Sequence, residues 1–155
     1  MNTTLKRALY LDDVRTPIVT LEGFAPFTVV RNYDEFVGHI QSFGVPDLIS
    51  FDHDLADEHM NDYWENQYKG NPVVHYDNFT EKTGLDCIKW LCNYILDEHE
   101  KGNTIPMPAV RVHSHNPVGG ANIHNYANSF CASMGWPAAA SFLRIPFEIA
   151  TKVDK

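Results

Sequence analysis

Residues 110–123 read VRVHSHNPVGGANI, and the reading of this stretch decides the fold. The run AVRV, starting at Ala109, has the apolar character of a buried strand. It stops at a dense polar group: His113, Ser114, His115 and Asn116. Asn116-Pro117 then opens a helix, with proline where a first helical turn tolerates it. The apolar stripe of that helix is Ile123, Tyr126, Ala127, Phe130 and Met134, and Gly135 stops it. A strand that passes through a polar junction into a helix is the repeating unit of an α/β domain with a parallel sheet.

The rest of the chain repeats this unit. ALYL (Ala8 to Leu11) is a first short strand and ends in Asp12-Asp13. FTVV (Phe27 to Val30) is a second. A helix follows Asn32, in which Phe36, Val37, Ile40 and Phe43 share a face and Gly44 is the stop. Asn32 and Glu35 have the spacing of a capping box. DLISF is the third strand, ending in Asp52-His53-Asp54. Thr83 can cap a helix beginning at Gly84, with Asp86 at the box position. Leu85, Ile88, Leu91 and Ile95 form its stripe, and Gly102 ends it. AVRVHS is the fourth strand, and SFLRIPF is the fifth with its following turn. Residues 56–82 are long, polar and aromatic without a period, and are expected to be an insertion or lid. No repeat or linker divides the chain. Residues 1–155 are therefore expected to form one doubly wound α/β domain, with a five-stranded parallel sheet of order 2-1-3-4-5.

A chain of 155 residues is long enough to bury a core. Its net charge of −8, with no basic cluster, opposes a long nucleic-acid partner. A small phosphorylated ligand remains compatible, because a metal or a helix N-terminus can hold one. No apolar run reaches membrane-spanning length, and MNTTLKRALYLDD lacks the apolar core of a secretory signal. A cytoplasmic location without a membrane partner is expected. Cys87, Cys92 and Cys131 form no CxxC pair, which fits a reducing compartment and core packing.

Sheets of this kind bind ligands outside the carboxyl ends of their strands. Strand one delivers Asp12, Asp13 and, two residues on, Arg15. Strand three delivers Asp52, His53 and Asp54, and strand four delivers His113, Ser114 and Asn116. Four carboxylates drawn together repel one another unless a cation intervenes. A divalent cation with oxygen ligands, Mg²⁺ above all, answers that repulsion, and the nearby histidines leave Mn²⁺ or Zn²⁺ open. Arg15 offers a planar fork for a phosphate, and the SHNPVGGAN loop offers backbone N–H groups and a helix N-terminus. His113 or His53 would serve as acid or base near neutral pH. Alternation along the strand also allows His53 to point away from the site.

These residues resemble the response-regulator receiver, a flavodoxin-like domain. LYLDD, PDLISFD and SFLRIPF match it, and Asp12, Asp13, Asp52 and Ser114 fall on its metal, phosphoacceptor and hydroxyl positions. Its lysine falls on Ile145, which disfavours phosphorelay signalling. A closer resemblance is to the cyclic-phosphate processing receiver-like domains. Their marks read here as LDDVRTP, DHDLA with Ala56 in place of glycine, Thr83-Gly84, and HSHNPVGGAN. The resemblance implies processing of a cyclic phosphate on a nucleotide-like molecule. It places Asp12, Asp13, Asp52 and Asp54 at a metal. It places Arg15, Thr83, Ser114, Asn116, Gly119 and Asn122 at the substrate. His113 would protonate the leaving oxygen, and Asp52 or His53 would act as base or nucleophile. Tyr63, Trp64, Tyr68, Tyr76 and Phe79 would either stack on a base or pack among themselves. Two readings follow: a metal-dependent phosphoesterase, and a binding module that sequesters a cyclic nucleotide without cleaving it.

Overall fold

A computed structural model describes residues 4–18, 20–52, 55, 82–113, 117–138 and 151–153. In chain order its elements are β1 (Ala8–Leu11), β2 (Arg15–Pro17), β3 (Thr28–Val30), α1 (Tyr33–Phe43) and β4 (Leu48–Phe51). They continue with α2 (Gly84–Glu100), β5 (Ala109–Val112), α3 (Pro117–Ser133) and β6 (Thr151–Val153). Four strands form one parallel sheet in the order β3-β1-β4-β5. This is the order expected for the first four strands, with β3 on the edge. The expected fifth strand, at 141–147, lies outside the described residues, as does all of 56–81. β2 and β6 pair antiparallel in a separate ribbon that the sequence did not announce.

Side chains alternate between the faces of the sheet, and the two faces carry different tasks. Leu9, Leu11, Ile49, Phe51 and Val110 enter the main core, together with Phe36 and Ile40 of α1, Ile88, Leu91 and Ile95 of α2, and Ile123 and Ala127 of α3. All three described helices therefore cover one face. The other face carries Ala8 and Leu48, packed with Phe24 of the segment that joins β2 to β3. Tyr10 and Ser50 share that second face by alternation, and they are register partners. No helix among the described residues is long and apolar enough to cross a membrane.

The helix boundaries follow their expected caps. Asn32 Oδ1 accepts from the Glu35 N–H, and Gly44, at φ 88°, takes the left-handed backbone that closes α1. One apolar assignment is corrected: Phe43 is 68% exposed. It is the last residue of α1, and its ring lies against His39 at the surface instead of joining Phe36 and Ile40. The stripe of α3 is likewise adjusted, since Cys131 is fully buried while Met134 falls in the turn after the helix. Gly120 is the close approach between α3 and β5: a Cβ there would meet Val112 Cγ1 at 3.0 Å. The three cysteines are free and buried, and burial pushes the Cys92 thiol up to about 12.

Thr83 and Asp86 form a complete capping box on α2, with Thr83 N–H donating to Asp86 Oδ2 at 2.8 Å. Thr83→Ala is expected to cost about 1 kcal/mol in urea unfolding. Ligand titration of the same variant separates two roles. Unchanged affinity marks Thr83 as a cap alone, and weakened affinity marks it as a phosphate contact too.

Candidate metal and phosphate site

The parallel register builds the site. Leu11 pairs with Phe51 and Phe51 with Val112, so the next residues, Asp12, Asp52 and His113, leave the sheet side by side. Backbone bonds continue past the strands: Asp52 N–H donates to Leu11 O at 2.9 Å, and His113 N–H to Phe51 O at 2.9 Å. All three side chains are buried, with Asp12 at 0% and His113 at 4% exposure.

Asp12, Asp13 and Asp52 each offer a carboxylate oxygen, and these oxygens lie within 4.8 Å of one another. Asp12 is held from four sides. Its Oδ1 accepts from the N–H groups of Val14 at 2.9 Å and Arg15 at 2.7 Å. Its Oδ2 faces Arg15 Nε at 2.8 Å and His113 Nε2 at 3.0 Å. Burial pushes the Asp12 carboxyl up most strongly, but the His113 bond, the two backbone N–H groups and the Arg15 charge together bring it below its usual value. Arg15 also reaches Asp52, with Nη2 at 3.7 Å from Oδ2.

His113 has both ring nitrogens engaged. Nδ1 lies 2.7 Å from Ser50 Oγ and Nε2 faces Asp12, while the ring stacks on Tyr10 at 4.1 Å and 10°. Burial pushes its pKa below the usual value, against the pull of Asp12. Burial and the Asp12 charge raise the Tyr10 phenol to about 12. The sequence reading made His113 a general acid. In the structure its two nitrogens face buried partners, and it offers no further ring nitrogen to a ligand.

Arg31, at the end of β3, is a contributor the sequence reading missed. Its Nη1 donates to the carbonyls of Asp12 at 3.2 Å and Arg15 at 2.8 Å, and its Nη2 to Thr16 Oγ1 at 2.6 Å. It thereby ties down the turn that presents Asp12, Asp13 and Arg15. The edge strand showed no acidic motif, and an arginine whose partners are carbonyls leaves no pattern in sequence. Ser50, inside an apolar strand, was missed for a similar reason.

The remaining candidates divide. Gly119 is buried in the first turn of α3, and Asn122 is exposed in a groove with Leu85 and Lys89 of α2. Thr83 caps α2. His53, Asp54, Ser114 and Asn116 lie outside the described residues.

The donor set suits a hard divalent cation. Three carboxylates stand together without a thiolate, and the histidine beside them is turned to Asp12 and Ser50. A site of this charge at the carboxyl ends of a parallel sheet, with an arginine against it, defines a receiver-like α/β domain. A family model described as the cyclic-phosphate processing receiver domain matches residues 7–129, and the chain belongs to that family. None of the curated proteins or solved structures compared with the chain matches it.

Proposed function

We propose that the chain is a metal-dependent phosphoesterase that opens a cyclic phosphate on a small nucleotide or ADP-ribose derivative. The cluster of Asp12, Asp13 and Asp52 with Arg15 against it is the observation that carries this reading, and membership of the family supplies the substrate class. Asp12, Asp13 and Asp52, with Asp54 added by the family motif, would hold Mg²⁺ or Mn²⁺. When bound, such an ion polarises a phosphoryl oxygen and lowers the pKa of a water. Arg15 would offer its planar fork to phosphate oxygens from its place against Asp12 and Asp52, aided by Ser114, Asn116 and backbone N–H groups near Gly119 and Gly120. Thr83 and Asn122, which fall on motif positions, complete the proposed substrate set. Asp52 or His53 serves as base or nucleophile. As base, that residue takes a proton from water while the water oxygen bonds to phosphorus, one ring P–O bond breaks, and the proton passes to the leaving oxygen to give a monoester. As nucleophile, its bond to phosphorus replaces the ring P–O bond, and water then splits that bond to release the monoester.

The engagement of both His113 nitrogens favours a second reading, because it removes the nearest candidate acid. In that reading the same pocket binds a cyclic nucleotide and leaves the ring closed. Phosphorus NMR separates the two. The protein with Mg²⁺ or Mn²⁺ is incubated with 2′,3′-cyclic nucleotides and ADP-ribose 1″,2″-cyclic phosphate. The enzyme reading expects one ring to open only with metal, and Asp52→Asn to slow opening by more than about a hundredfold, beyond the usual effect of an outer-shell partner. A ligand signal that shifts yet stays cyclic supports the binding module. An Asp52→Asn variant with full turnover sinks the proposed site.

A further inference from the structure

Ser50 is a polar residue in the middle of an otherwise apolar buried strand, LISF, and is 2% exposed. A buried hydroxyl is tolerated when it is hydrogen-bonded, and the partner here is His113. Together with Asp12 it makes the composition of a nucleophilic triad. The geometry argues against that role. Ser50 meets Nδ1, the carboxylate meets Nε2, and the hydroxyl is sealed within the sheet face where no substrate reaches. What the arrangement does do is fix a ring. A carboxylate that already receives Arg15 Nε can only accept, so the proton lies on His113 Nε2. In the neutral ring Nδ1 is then an acceptor, and Ser50 Oγ–H must donate to it. The stack on Tyr10 holds the ring plane.

We propose that Ser50 and His113 are a buried positioning pair: Asp12 selects the Nε2–H tautomer of His113, Ser50 holds that ring in place by donating to Nδ1, and the ring N–H in turn fixes the orientation of the Asp12 carboxylate. Its importance for metal affinity rests on the proposed function, whereas the tautomer does not. Partners that orient a metal ligand from behind commonly change affinity by about 10–100-fold. The pair makes His113 a positioning residue and not a catalytic acid.

The test uses the full chain. Long-range ¹H–¹⁵N spectra of metal-free, ¹⁵N-labelled protein report the His113 tautomer, assigned by its loss in His113→Gln. Mn²⁺ alone, titrated by electron paramagnetic resonance, reports the acid cluster. The wild type is expected to show the Nε2–H pattern. Ser50→Ala should keep that tautomer but shift the Nδ1 resonance, which loses its hydrogen bond, and weaken Mn²⁺ binding about tenfold, and Ser50→Thr, which keeps the hydroxyl, should restore both. A merely structural role would lower the melting temperature of Ser50→Ala and leave its Mn²⁺ affinity unchanged. Should that variant fail to fold, Ser50→Cys keeps the volume, weakens the donor and is read in the same way. An Nδ1–H or cationic ring in the wild type overturns the proposal, as does Ser50→Ala with wild-type spectra and affinity. If the wild type binds Mn²⁺ no better than Asp13→Asn, the metal reading fails, and the Nδ1 shift of Ser50→Ala alone decides the pair.

Discussion

Asp12→Asn is expected to lose about 3–5 kcal/mol of stability, the range for breaking a buried charged network by removing one partner. The asparagine amide can present its oxygen to the Val14 and Arg15 N–H groups. Its NH₂ then meets Arg15 Nε and His113 Nε2–H, donor against donor. Flipping the amide moves the conflict to the backbone side. Urea unfolding at neutral pH measures the loss, and a change below about 1 kcal/mol would show that the four-donor arrangement does not hold the loop. The pH dependence has a definite sign. A lowered Asp12 pKa stabilises the fold fully above the unfolded value near 3.8, and the contribution disappears as pH falls through the folded value. A lowered His113 pKa acts earlier: below about 6.5 the unfolded chain takes up a proton that the folded site resists. Both make acid destabilising, the histidine first and the aspartate later.

Arg15→Gln is expected to move two affinities in opposite directions. The guanidinium lies on Asp12 and Asp52, so losing its charge increases the mutual repulsion of the acids. Affinity for Mg²⁺ alone should rise about tenfold, a change of about 1.4 kcal/mol. Affinity for the cyclic phosphate at saturating Mg²⁺ should fall roughly 10–100-fold, because charged hydrogen bonds contribute about 1.5–3 kcal/mol. Calorimetric titration with each ligand reads both numbers. If the two affinities fall together, Arg15 is a scaffold for the carboxylates and does not meet phosphate. Glutamine leaves the Arg15 backbone bond to Asp12 Oδ1 available, so the turn itself should survive.

Much of this site was legible from strand ends alone. Once ALYL and DLISF are parallel neighbours, the acids that follow them must emerge together, and Leu11 opposite Phe51 puts Asp12 beside Asp52. The Asn32 cap of α1 and the capping box of α2 were readable because their partners are three residues apart, although the Glu35 side chain accepts from the Arg31 N–H and so leaves the expected α1 box half formed. What escaped depends on contacts across the chain. Ser50 and His113 are 63 residues apart, and His113 and Asp12 are 101 apart. No local period encodes such a meeting. β2 and β6 are three residues each, too short for alternation to show, and β2 ends in a proline that reads as a strand breaker. Phe43 fitted the helical period of α1, but a period says which residues share a face and not how far along the helix the covering layer extends.

The ribbon has a kinetic meaning. β1, β4 and β5 gather through successive crossovers, whereas Arg15 pairs with Val153, a partner far later in the sequence. Closing so long a loop is entropically costly and waits until the intervening chain is already compact. Folding can therefore gather β1, β4 and β5 and seat Asp12 before the strand that carries Arg15 acquires its mate. The strand that carries Arg15 is thus locked in place late in folding, after the acids beside it have been gathered.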